Sequence, residues 1–157
     1  MTLSIALTAA IRYVLVILFF PFSALDKILN FNDAVAQASE MFPVKSAARL
    51  VILAGLSVEI IMPIAILTGF GDRLAAFIMA GYCAVTALLW KQFWKPGDFW
   101  HAGPSRGRDL FWDFLKNFSL AGGFLLLATG TTADSIHGFI AAPNFSTRPY
   151  DVQQGLH

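Results

Sequence analysis

The stretch Val51-Ile-Leu-Ala-Gly-Leu-Ser-Val-Glu59-Ile-Ile-Met-Pro63-Ile-Ala-Ile-Leu-Thr68 has no polar face, yet it carries one carboxylate near its middle. A helix that is apolar all round is either buried in a large core or spans lipid. This run extends over about residues 47–68, and three more of the same character lie at about 3–25, 73–90 and 111–130. A hydrocarbon core about 30 Å thick takes ~20 helical residues at 1.5 Å each. A chain of 157 residues cannot bury four such helices inside itself, so lipid must cover them. The composition agrees, with 57% hydrophobic and 13% charged residues and a mean hydropathy of +0.64. The expected fold is an all-α membrane protein. A four-transmembrane-helix bundle fills residues 1–130, and an extended C-terminal tail covers 131–157.

Barrel strands would alternate with period two, and that pattern is absent, so helices are expected throughout. The first run carries Arg12 in its middle and lacks both a basic leading region and a small-x-small cleavage site. It reads as a retained helix and not as a signal peptide. Net charge is +1, which leaves no basic surplus for nucleic acid. Cys83 is the only cysteine, so no internal disulfide can form, and it reads as a small hydrophobe.

The connections are unequal. Gly69-Phe70-Gly71-Asp72 joins the second and third runs, which makes them an antiparallel hairpin. Loop one, about residues 26–46, is long enough for a short interfacial helix. Asn32 or Asp33 would cap it, Phe31, Val35, Met41 and Phe42 would form its apolar side, and Pro43 would stop it. Loop three covers about 91–110. On the side of the two long loops lie Lys27, Lys45, Arg49, Lys91, Lys95, Arg106, Arg108 and Lys116, against Arg73 and Arg148 opposite. The positive-inside rule then places the long loops in the cytoplasm and the termini outside.

Charges inside the spans point to function. A carboxylate at the bilayer centre costs ~2.5–3.5 kcal/mol even on a lenient scale, so Glu59 needs a proton, a partner or a wet cavity. Arg12 lies 13 residues from Leu25, and Glu59 lies 12 residues from Ala47. Antiparallel neighbours would put both at roughly 18–20 Å depth. The expectation is therefore an Arg12–Glu59 ion pair, serving either as a helix clamp or as a relay. Pro63 has no N–H, which frees the Glu59 carbonyl and predicts a kink.

A second polar set gathers where three spans meet the long loops: Asp26, Lys27, Lys91, Asp113, Lys116 and Asn117. Lysines there commonly snorkel to the headgroups, while Asp113 and Asn117, four apart on one helical face, favour an organised rim or headgroup site. Trp90, Trp94, Trp100 and Trp112 all lie at or near loop three. They read as an aromatic belt, as the mouth of a site for a flat hydrophobic ligand, or as both. His101 has no companion ligands at metal spacing, so no metal is expected. No phosphate loop or nucleophile elbow is present. Ala121-Gly122-Gly123 and the Ala76, Ala80, Ala84 track are packing signals.

From Phe22-Ser-Ala-Leu-Asp-Lys-Ile-Leu-Asn-Phe31 onward the chain resembles the DoxX family of small four-helix membrane proteins. Further matching pieces are Val58-Glu59, Gly71-Asp72-Arg73, Phe93-Trp94 and Phe114-Leu-Lys-Asn-Phe-Ser-Leu-Ala-Gly-Gly123. The family is related to the membrane subunit of thiosulfate:quinone oxidoreductase, and other members are linked to thiol and superoxide stress defence. The resemblance implies a bacterial inner-membrane, multi-pass subunit of a membrane oxidoreductase or respiratory complex that faces quinone. It implies roles for Asp26, Lys27, Glu59, Arg73, Lys116 and Asn117, with Asp72-Arg73 forming the turn motif. No covalent cofactor is expected; quinone and lipids are the implied small molecules. Members often carry a His where this chain has Lys91-Gln92. An accessory or assembly subunit is the competing reading, gripping neighbouring membrane subunits through loop three and the Pro-punctuated tail. A small-solute or proton transporter ranks third, since no inverted repeat with broken helices is visible.

Overall fold

The computed structural model describes residues 3–151; residues 1, 2 and 152–157, at the ends of the expected bundle and tail, lie outside that range. Among the described residues seven helices follow one another: α1 (Leu3–Ile17), α2 (Phe20–Leu29), α3 (Phe31–Ser39), α4 (Lys45–Thr68), α5 (Asp72–Trp90), α6 (Arg106–Thr129) and α7 (Ala133–Ala141). Four segments are long and apolar enough to cross a membrane: Leu3–Leu29, α4, α5 and α6. The all-α, four-span architecture is as expected.

The first span is not one helix. Pro21 opens α2, and its missing N–H leaves the Ile17 carbonyl without a helical partner, so α1 stops at Ile17. The chain resumes after Phe19, and the span runs on to Leu29, four residues beyond the expected end. Pro63, by contrast, sits inside an uninterrupted α4. The other spans also differ at their starts: α4 begins at Lys45, α5 at Asp72 and α6 at Arg106.

The turn between α4 and α5 depends on glycine. Gly69 closes α4 at φ +77° and Gly71 precedes α5 at φ +65°, a region that L side chains rarely adopt. The bundle core lies between α1/α2, α4, α5 and α6, and centres on Val16, Phe20, Ile66, Met79 and Phe124, all fully buried. Small residues on α5 (Ala75, Ala76, Ala80, Ala87) are buried and let α6 pack closely along it. Phe20 meets Phe124 with ring centroids 5.7 Å apart, which closes the ring of helices from α2 to α6.

The short helix of loop one forms as α3. Val35 and Ala38 are buried against Ala48 of α4, and Phe31, Phe42, Ile52 and Trp90 pack around them. Its N-cap position is Asn30, two or three residues earlier than expected, and no side chain caps it.

The tail departs from the extended form. Thr132 and Ser135 make a reciprocal capping box, and Ile136, Phe139 and Ile140 share one face of α7. Phe139 packs on Phe77 of α5 (6.2 Å between centroids) and under the Arg73 guanidinium (4.9 Å). The residues after α7 then lie over the chain's own α4–α5 turn. Ser146 Oγ donates to the Gly69 carbonyl (2.6 Å), the Phe145 carbonyl accepts from the Arg73 N–H (3.0 Å), and Tyr150 donates to the Leu67 carbonyl.

Candidate functional site

Glu59 and Arg12 are both buried, but not together. Glu59, 2% exposed, takes its partners from α2 and α5. Lys27 Nζ lies 2.8 Å from Oε1 and 3.0 Å from Oε2, while Ser23 Oγ (2.9 Å) and Tyr82 Oη (2.7 Å) donate to Oε1. Lys27 also donates to Ser23 Oγ at 2.7 Å. Arg12 instead pairs with Asp72 (2.7 Å), and also donates to the Ile66 carbonyl (2.6 Å) and Thr147 Oγ1 (2.8 Å). Thr147 completes the cluster by donating its N–H to Asp72 Oδ1 (2.8 Å) and its hydroxyl to Oδ2.

The expected Arg12–Glu59 pair therefore does not form, and the reason is register. Equal depth for Arg12 and Glu59 requires both helices to enter the membrane at matched ends. In the fold, α2 runs on to Leu29, and Ser23 rather than Arg12 stands level with Glu59. Arg12 is 11 residues from Ser23, roughly 16 Å along the helix, which brings it to the Gly69–Asp72 turn. Each charge found the opposite charge nearest its own level.

The polar rim splits in two. Asp26, Lys27, Lys91 and Asn117 line one cavity of about 760 Å³, whose wall also includes Glu59 and Tyr82. Its sides are apolar, with Phe19, Phe20, Phe42, Val58, Val85 and Leu89. Asn30, Asp33 and Gln37 join the lining on the loop side, brought there by α2 and α3. Asp113 and Lys116 are not in the lining. Asp113 instead bridges Lys91 (3.1 Å) and Lys116 (3.3 Å), and Asn117 donates to its backbone carbonyl (2.9 Å). Arg73 ties the start of α5 to the Ala128 carbonyl at the end of α6 (2.7 Å).

Ser23, Tyr82 and Thr147 were not singled out from sequence. Ser23 stands four residues before Lys27, so a shared helical face was readable. A tyrosine inside a span is a weaker signal that its hydroxyl needs a partner. Nothing local connects Thr147 to Asp72.

Of the four tryptophans only Trp90 lines the cavity, where it faces Phe42 at 6.4 Å. Trp94, Trp100 and Trp112 are exposed around a cluster centred on Phe93, which meets Phe99, Phe111 and Phe114 at 5.0–6.0 Å. Loop three is organised by hydrogen bonds. Asp98 accepts from the N–H groups of Arg106 and Gly107, both at 2.8 Å, and Ser105 Oγ accepts from that of Arg108 (3.1 Å). Arg108 donates to the Phe99 carbonyl (2.9 Å) and to those of His101 and Gly103. The bond from the Gly107 N–H, more than any other influence, holds the Asp98 carboxyl below its ordinary value. Among the described residues no three His, Cys, Asp or Glu side chains gather at metal-binding distance.

A four-span helical bundle with a cavity walled by its helices and lined at one end by residues of α2 and α3 defines a small polytopic membrane protein. The family model DoxX matches residues 7–92, more than half of the chain. The chain belongs to the DoxX family. The match covers most of α1, all of α2 to α5 and every residue bonded to Glu59, and ends before α6. Comparison with curated proteins and with solved structures gave no match.

Proposed function

We propose that this protein is a small integral subunit of a bacterial inner-membrane oxidoreductase system and that its cavity faces quinone. The observation that carries this reading is the cavity itself. Its volume, about 760 Å³, falls in the range of small-molecule sites, and its walls are apolar and aromatic. Polar groups converge at one place, where Lys27, Ser23 and Tyr82 surround Glu59. Such an arrangement suits a flat apolar ligand with an oxygen-bearing head. The long loops face the cytoplasm by their excess of lysine and arginine, and the exposed aromatic residues of loop three meet neighbouring subunits.

A transmembrane solute path fits less well. The two buried ion pairs stand at different depths, and fully buried Val16, Phe20, Ile66 and Met79 fill the core between them. Ions and protons do not cross packed side chains without water or polar relays.

The test is purification of the complex from native membranes, followed by mass spectrometry and quinone extraction. A redox partner together with co-purified quinone is the expected result, with quinone lost in a Glu59→Gln variant. A complex without quinone would favour the accessory-subunit reading; neither partner nor quinone would sink the proposal.

A further inference from the structure

Resting on the quinone-facing reading of this same cavity, we infer that Lys27 and Glu59 form a donor–acceptor headgroup site for an uncharged amphiphile bearing carbonyl or hydroxyl oxygens, and that the cavity mouth turns anions away. Three observations meet here. The first is an asymmetry in how Glu59 is satisfied. Ser23, Tyr82 and Lys27 all donate to Oε1, whereas Oε2 accepts from Lys27 alone, at 3.0 Å. A carboxylate oxygen has about two acceptor positions, so Oε2 keeps capacity for one more donor.

The second is that Lys27 can be shared. Its side chain is 25% exposed and lines the cavity, while Glu59 is enclosed. If one ammonium proton turns to a ligand carbonyl, Glu59 still holds the hydroxyls of Ser23 and Tyr82. A ligand hydroxyl can in turn donate to Oε2. A head that exists as carbonyl in one state and hydroxyl in another finds a complementary atom in both.

The third is charge. Lys27 is engaged by Glu59, and Lys91 by Asp113, which lies outside the lining. Asp26 and Asp33, both exposed, make no ion pair among the described residues. An anion entering past them meets like charge and leaves its hydration for apolar walls, and both oppose binding. An anionic head is therefore disfavoured relative to a neutral one.

The experiment uses the purified full chain in lipid nanodiscs and three probes of equal tail length: a decylbenzoquinone, its quinol, and a ring-sulfonated analogue. Both neutral forms should bind with affinities within roughly tenfold of each other, and the sulfonated probe roughly tenfold or more weakly. Lys27→Met should weaken the quinone by roughly tenfold, and Lys27→Arg should retain it. The double change Asp26→Asn, Asp33→Asn leaves the buried pair intact and covers the case in which Lys27→Met does not fold. It should strengthen the sulfonated probe about fivefold relative to the neutral ones. Neutral binding with a sulfonated probe that binds equally well, or that ignores the double change, overturns the inference alone. No binding of either neutral form overturns both this inference and the quinone-facing reading.

Discussion

A buried carboxylate in a lipid-crossing helix needs donors, and Glu59 has three. Removing the charged one should show what it contributes. Lys27→Met is expected to lower stability by about 1–3 kcal/mol, less than the ~3–5 of a fully buried pair because Lys27 is partly exposed. Lys27→Met with Glu59→Gln should recover most of that loss, since an amide tolerates apolar surroundings better than an unpaired charge. Thermal unfolding in detergent reads both, and an unchanged midpoint for the single variant would count against the pair. Arg12 and Asp72 are more enclosed, with side-chain exposures of 6% and 0%. Arg12→Ala should cost about 3–5 kcal/mol. Exchanging the charges as Arg12→Asp with Asp72→Arg should restore part of the stability, whereas Arg12→Glu with Glu59→Arg should restore none. Rescue by the second exchange would mean that the register described above is wrong.

Among the elements, the α4–α5 turn and the segment laid over it behave as one unit. A Cβ on Gly69 would stand 2.7 Å from Pro149 Cγ, in addition to the strain of φ +77°. Gly71 has a similar φ but open space around it. Gly69→Ala should therefore lower stability by about 1–3 kcal/mol and Gly71→Ala by about 1, and the difference between them measures the tail's contact. Equal losses would mean that the tail does not rest on the turn. Loop three should respond to acid through Asp98, whose folded value lies below the ordinary ~3.9. A depressed carboxylate adds stability above its unfolded value and loses it as pH falls through the folded one. Asp98→Asn should thus be less stable than the parent near neutral pH, with the gap closing below about pH 4. A gap that stays constant down to pH 3 would remove Asp98 from the start of α6.

At the scale of the whole molecule the excess of basic residues in the long loops sets which way the bundle faces. Ser105 is a poor reporter, because it is buried and caps α6. His101 in loop three and Phe70 in the short turn are exposed on opposite ends. In a Cys83→Ala background, an impermeant maleimide should label Phe70→Cys in intact cells and His101→Cys only after permeabilisation. The reverse pattern would invert the orientation.

Hydrophobicity determined the four spans, and turn and capping signals determined the hairpin of α4 and α5 and the short helix α3, because lipid solvation and backbone hydrogen bonding act on each segment by itself. The same local logic marked Glu59 and Arg12 as charges that need partners. It could not assign the partners, because pairing depends on how far one helix slides past another, and a shift of a few residues exchanges one neighbour for the next. Pro21 ends α1 and α2 runs to Leu29, and that shift gave Glu59 to Lys27 and Arg12 to Asp72. The course of the tail was likewise settled only in three dimensions. Thr147 meets Asp72 across 75 residues of sequence, and a contact so distant leaves no trace in any local pattern.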